Sequence, residues 1–275
     1  MSEQNLEPIE QMRRKAGSLE STVDALRDKT SLKQVLTTLE DIDAQLSALP
    51  GVLARLRARG YAFKNYLEGE VAALQNDWPA VRSRVQTDAD FQRRTLSSQM
   101  DDLATRFLQA RALINTDSAQ AESALAMVEA SAQNLDRTAS SAISTLQGMY
   151  SGLQSRLRTV QTDVRKAETV LKEVDNACFK LYPNEQIVDV IEAQWLTDQK
   201  GGPKGFLFCT DHRLIFEQRE EVATKKVLFI ATEKQKVQQV AMEAPIGSVT
   251  QVKESESGAL LLRKDHLDLV FGAAG

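Results

Sequence analysis

The sequence predicts an α+β chain in two parts: an elongated antiparallel helical coiled-coil bundle, then a small antiparallel β-barrel. Three observations lead there. Up to about residue 178, apolar residues recur at alternating intervals of three and four, the spacing of helices packed side by side. Beyond residue 180 the period falls to two, in short runs of Val, Ile, Phe and Thr. The 275 residues include only 13 glycines and 6 prolines, so turns are few and elements long. The expected domains are residues 1–178 and 179–275.

The first helix is expected over about residues 8–49. Pro8 suits a first helical turn, where its missing donor would be unpaired anyway. Ile9, Met12, Ala16, Leu19, Val23 and Leu26 form one seam. The register slips around Thr30 and Lys33, then resumes through Leu36, Leu39, Ile42, Leu46 and Leu49. Leu49-Pro50-Gly51 is expected to interrupt or end the helix.

A second helix is expected over about residues 52–114, with Leu67, Val71, Leu74, Trp78, Val81, Val85, Leu96, Leu103, Phe107 and Ile114 along its seam. Pro79 should kink or break it. Asn115 to Ser118 reads as a turn, and Asp117 with Gln120 as an N-cap pair. The third helix, about residues 118–178, carries Leu125, Val128, Ala132, Leu135, Ala139, Ala142, Leu146, Met149 and Leu153. After a stutter the seam continues through Leu157, Val160, Val164, Ala167, Leu171, Val174 and Cys178. The second and third helices, nearly equal in length, should form an antiparallel hairpin. The first then packs back on the second.

Eight short runs in the remainder, residues 186–196, 205–210, 213–216, 226–232, 237–243, 246–253, 259–263 and 267–271, are expected to give about seven strands. Asp211-His212 joins the second and third as a tight hairpin. Such a series closes into a barrel or sandwich.

Leu181, Glu185 and Ile187 open this region. Gly205-x-Leu207-x-x-Thr210-Asp211-x-Arg213-Leu214-Ile215-Phe216 stands at its centre, and Pro245-Ile246-x-x-Val249-x-x-Val252 follows. Together these resemble GRAM and bacterial pleckstrin-homology-like domains over roughly the last third of the chain. The resemblance implies a seven-stranded bent barrel, ordinarily closed at one end by a helix, and a recognition function.

Composition narrows the function. The net charge of −4 gives no basis for non-specific nucleic-acid binding. Two cysteines and two histidines do not furnish a zinc module or a disulfide framework, and no cofactor is expected. No apolar run is long enough to span a bilayer. A cytoplasmic protein, peripheral at the inner face of the membrane if it meets one, is the expectation. Asp211-His212 could orient a base, but no nucleophile motif accompanies it. Cys209, beside Phe208 and Leu207, reads as an inert buried thiol, and the chain is expected not to be an enzyme.

Candidate binding residues fall in three places. In pleckstrin-like domains that bind phosphoinositides, basic residues gather in the loop between the first two strands; here that loop offers Lys200 and Lys204. Lys225, Lys226, Lys234 and Lys236 flank a later loop and read either as a patch or as charges guarding a sheet edge. In the helical part, Arg55, Arg57, Arg59 and Lys64 surround Gly60, interleaved with Tyr61, Phe63 and Tyr66. That mixture docks on membrane surfaces or acidic partners, or fills the end of a bundle. The leading expectation is a scaffold or adaptor: a helical rod for spacing and self-association, presenting a domain that binds a protein partner. The alternative is a peripheral membrane organiser that binds anionic lipid through the barrel and the Arg55–Tyr66 segment.

Overall fold

A computed structural model describes residues 6–196, 201–227, 230–257 and 264–272. It is α+β, with long helices followed by antiparallel strands. The helices are α1 (Leu6–Thr30), α2 (Lys33–Ala58), α3 (Leu67–Leu113) and α4 (Ser118–Asp175). No described helix is long and apolar enough to cross a membrane. Two compact units share the chain, Met1–Leu49 with Glu70–Thr159 and Pro50–Gly69 with Val160–Gly275.

In the first unit, α1 and the start of α2 run antiparallel to α3 and parallel to α4. Glu20 pairs with Arg111 and Asp43 accepts from Trp78 Nε1, whereas Lys15 meets Glu129 and Lys29 meets Asp136. The heptad positions explain the packing: Leu19, Val23, Leu26, Leu39, Ile42, Val85, Leu96, Leu103, Leu125, Leu135 and Leu146 are all buried. The register slip between α1 and α2 is a true break. Buried Leu32 adopts φ 54°, a left-handed conformation unfavourable for a branched side chain. The Thr30 hydroxyl donates to the Leu26 carbonyl at 2.8 Å within that break. After it the buried position is Val35 rather than the expected Leu36.

The expected stop at Leu49-Pro50-Gly51 does not occur, and α2 continues through Pro50 to Ala58. Proline cannot donate to the carbonyl four residues back, here that of Leu46. Gln75 Nε2 supplies the missing donor at 2.9 Å, so the helix tolerates the ring. Pro79 likewise leaves α3 unbroken. The chain instead turns at residues 59–66, where Gly60 has φ 86° and Lys64 has φ 57°. The turn into α4 is as expected: Asp117 Oδ1 accepts from the Gln120 backbone amide at 3.1 Å.

The second unit contains the end of α2, the 59–66 loop, the last turns of α4 and the strands. The division therefore falls within the helices rather than at residue 178. Its cause is backbone pairing: Tyr61 bridges Ile187 in parallel, and the Ile187 amide donates to the Gly60 carbonyl at 3.2 Å. The strands are β1 (Ile187–Gln194), β2 (Lys204–Thr210), β3 (Arg213–Val227), β4 (Ile230–Pro245), β5 (Val249–Ser257) and β6 (Lys264–Phe271). They form a four-stranded sheet in the order β1-β2-β3-β4 and a separate ribbon of β5 and β6, all antiparallel.

The described strands differ from expectation in two ways. Residues 226–232 and 237–243 are not a separate pair; they extend one long β3–β4 hairpin, in which Glu221 faces Lys236. A short 3-10 turn, Ile246–Ser248, delays β5 to Val249. The expected strand at 259–263 lies outside the described residues. No closed barrel is formed by the described strands, because the four-stranded sheet and the ribbon do not pair with each other.

Candidate functional site

The Asp211-His212 hairpin is held by a buried ionic knot in the second unit. Thr210 Oγ1 accepts from the amides of His212 and Arg213 at 3.1 and 2.8 Å, and donates to Glu185 Oε1 at 2.7 Å. Arg213 grips Glu185 with two bonds and reaches Glu243 Oε1 at 2.6 Å and the Lys180 carbonyl at 2.9 Å. The Tyr182 ring covers the guanidinium, its centroid 3.6 Å away, while its hydroxyl donates to Glu243 at 2.9 Å. Burial alone would raise the pKa of Glu185, but bonds from Arg213, the Tyr182 amide and Thr210 outweigh it and hold the carboxyl below its ordinary value. Arg213 and then Tyr182 hold Glu243 low too. Asp211 serves the backbone, accepting from the Gln186 amide at 2.8 Å.

A second knot sits at the α4 end. Glu217 on β3 is fully buried and meets Arg219, which also bonds Glu173 of α4 at 2.5 Å and lies 4.5 Å from the Phe206 ring centroid. Gln238 of β4 donates to both Glu217 and the Asn176 carbonyl. The Cys178 thiol pKa is pushed up by burial and then by the Glu217 charge, and burial does the same for Cys209. Neither environment makes a thiolate. Gly205 explains itself here: a Cβ would meet the Glu217 carbonyl oxygen at 1.8 Å.

Most of the basic segment around Gly60 is spent within the protein. Arg57 donates to the carbonyls of Tyr61, Phe63 and Lys64 at 2.7, 2.8 and 3.0 Å, and clasps Glu68 with two further bonds. It thus supplies donors to carbonyls of the turn, of which that of Lys64 also accepts from the Leu67 amide at 3.1 Å. Arg59 pairs with Asp175 at 2.6 Å. Lys64 bonds Asp163, which also accepts from Tyr66 Oη at 2.8 Å, and both bonds hold Asp163 below the ordinary carboxylate range. Arg55 is exposed, as are Phe63 at 43% and Tyr66 at 54%. Of the four cations, Arg57, Arg59 and Lys64 are anchors of the loop.

Of the lysines expected to bind in the strand region, only Lys204 and Lys236 have described side chains, and they stand on different strands, β2 and β4. Lys200 lies outside the described residues. Lys204 opens β2, exposed and opposite Gln194. Lys225, Lys226 and Lys234 lie in the outer part of the β3–β4 hairpin, where only the backbone is described, and Lys236 is exposed nearer the sheet. Acidic residues stand among them: Lys225 faces Glu233 and Lys236 faces Glu221. Among the described residues, no group of three or more His, Cys, Asp or Glu side chains is placed to hold a metal. No buried side-chain nitrogen or oxygen among them lacks a hydrogen-bond partner.

Sequence reasoning assigned Asp211 and Arg213 to the hairpin but missed the partners of Arg213, and it missed the Glu217 knot altogether. The signal available was a glutamate two residues before a strand and another directly after the apolar run Leu214-Ile215-Phe216, each with an arginine later in the chain. No protein-family model, curated protein or solved structure matches the chain.

Proposed function

We propose that this protein is a non-enzymatic scaffold or adaptor, in which a helical coiled-coil rod supplies spacing and self-association while a pleckstrin-like domain binds a protein partner. The observation that carries this reading is how charge is used in the second unit. Arg57, Arg59, Lys64, Arg213 and Arg219 all bond acidic groups or carbonyls of the protein itself. Cations committed this way are poor counter-ions for phosphate headgroups, whose attraction depends on several accessible lysines or arginines. The strands meanwhile present apolar side chains to solvent, including Ile191, Val252 and Leu267. Protein recognition by a strand edge or face uses such surfaces.

The second reading is attachment to an anionic membrane, and it draws on exposed Arg55, Phe63 and Tyr66. Flotation of the full chain with phosphatidylserine-containing vesicles at low salt separates the two. The scaffold reading expects the protein to stay at the bottom of the gradient. Flotation that is lost in the Phe63→Ser and Arg55→Ser variants would overturn it.

A further inference from the structure

The β5–β6 ribbon has two unlike faces. Strand residues alternate sides, and directly paired residues share one. The register Val252↔Leu269, Glu254↔Leu267 and Val249↔Phe271 therefore puts Val249, Val252, Leu267, Leu269 and Phe271 together. The opposite face carries Gln251, Lys253, Ser255, His266 and Asp268, with Val270 as its apolar member. Among the described residues this face is partly open: Val252 is 56% exposed, Leu267 43% and Phe271 40%, while Val249 and Leu269 are half-buried. A two-stranded ribbon is marginal in water unless such a face is covered.

We infer that this face is the docking surface for an amphipathic helix of a partner protein, apolar on one side and rich in Lys or Arg along its flanks. Charge selects that occupant. Glu254 and Asp265 stand on the same face as the apolar stripe, at positions where both side chains are exposed, and none of its described residues is basic. A second copy of the ribbon would bring carboxylates against carboxylates, whereas lysines or arginines on a partner meet them favourably. Dimensions select a helix. Two strands about 4.8 Å apart, with their side chains, make a strip about 10 Å wide, the diameter of one helix. Eight residues of β6 extend about 26 Å, the length of roughly five helical turns. This assignment rests on the protein-recognition reading above and specifies its surface.

The test uses the full chain and a labelled designed peptide of about 18 residues, leucine on one helical face and lysine on the other, followed by fluorescence anisotropy. The expected result is binding of this peptide and not of its counterpart with glutamate in place of lysine. Leu267→Asn and Glu254→Lys should each weaken binding about tenfold, a loss of about 1.4 kcal/mol. Glu192→Lys makes the same charge change on exposed β1 and should leave binding unaltered. Circular dichroism melts of the three variants verify folding, because all three sites are solvent-facing. Equal weakening by Glu192→Lys and Glu254→Lys, or no effect of Leu267→Asn, overturns the ribbon assignment. The recognition reading would survive that result, since vesicle flotation tests it separately. A doubled mass by light scattering that Leu267→Asn abolishes also overturns the assignment, in favour of a second copy.

Discussion

Arg213 and Glu185 meet through two parallel bonds, Nε to Oε1 at 2.8 Å and Nη2 to Oε2 at 2.9 Å, with the Glu185 side chain fully buried. Such a fork fixes orientation as well as distance, and only arginine offers it. Removing one partner strands the other charge away from water. Arg213→Ala should therefore cost about 3–5 kcal/mol, and Arg213→Lys should recover little of it. The double variant Glu185→Met with Arg213→Leu should be less damaged than either single change. Urea unfolding followed by far-ultraviolet dichroism measures all of these, and an additive double variant would contradict the pairing.

The bond from Gln75 to the Leu46 carbonyl compensates for the donor missing at Pro50. Pro50→Ala restores that donor and should stabilise the protein by about 1–3 kcal/mol. Gln75→Ala should cost about 1 kcal/mol in the parent chain, since a carbonyl loses its partner. In the Pro50→Ala background the same change should cost distinctly less. A double-mutant cycle of thermal or urea melts reads the difference as a coupling energy, and zero coupling would refute the compensation.

Five carboxyls of the second unit, Glu68, Asp163, Glu185, Asp211 and Glu243, are held below their ordinary values by the bonds they accept. A depressed folded-state value means that the unfolded chain binds protons first as the pH falls. The stabilisation is complete above the ordinary carboxylate range near about pH 4 and disappears as the pH drops through the lower folded values. Melting temperature should thus be flat from about pH 7 to about pH 5 and fall steeply below about pH 4. Part of that slope should vanish in Glu185→Gln. An unchanged slope in that variant would show that its carboxyl does not contribute.

Legibility differed sharply between periodic and pairwise features. The helical seams were readable because burial imposes a period that any single helix displays, as Leu125 to Leu146 do in α4. The run through Pro50 was not, since the Gln75 amide that rescues it sits 29 residues from the Leu46 carbonyl, on another helix. The hairpin at Asp211-His212 was readable from turn chemistry alone. The length of β3 was hidden because its outer half, Glu220-Glu221-Val222-Ala223-Thr224-Lys225-Lys226, has no apolar alternation to betray a strand. The site suffered most. Arg57, Arg59 and Lys64 announce themselves as free cations in sequence, and only the fold reveals that Glu68, Asp175 and Asp163 already hold them.

The parallel bridge between Tyr61 and Ile187 has a consequence for dissecting the protein. Its two halves are separated by more than a hundred residues of chain, with the whole of α3 and α4 between them. A fragment cut at residue 178 would possess every strand and yet lack the backbone against which the first of them begins. Expressed by itself, such a piece also loses the α4 residues Asp163, Glu173 and Asp175 that bond the loop and the strands; it should be prone to precipitate, and supplying residues 1–178 in trans should restore it.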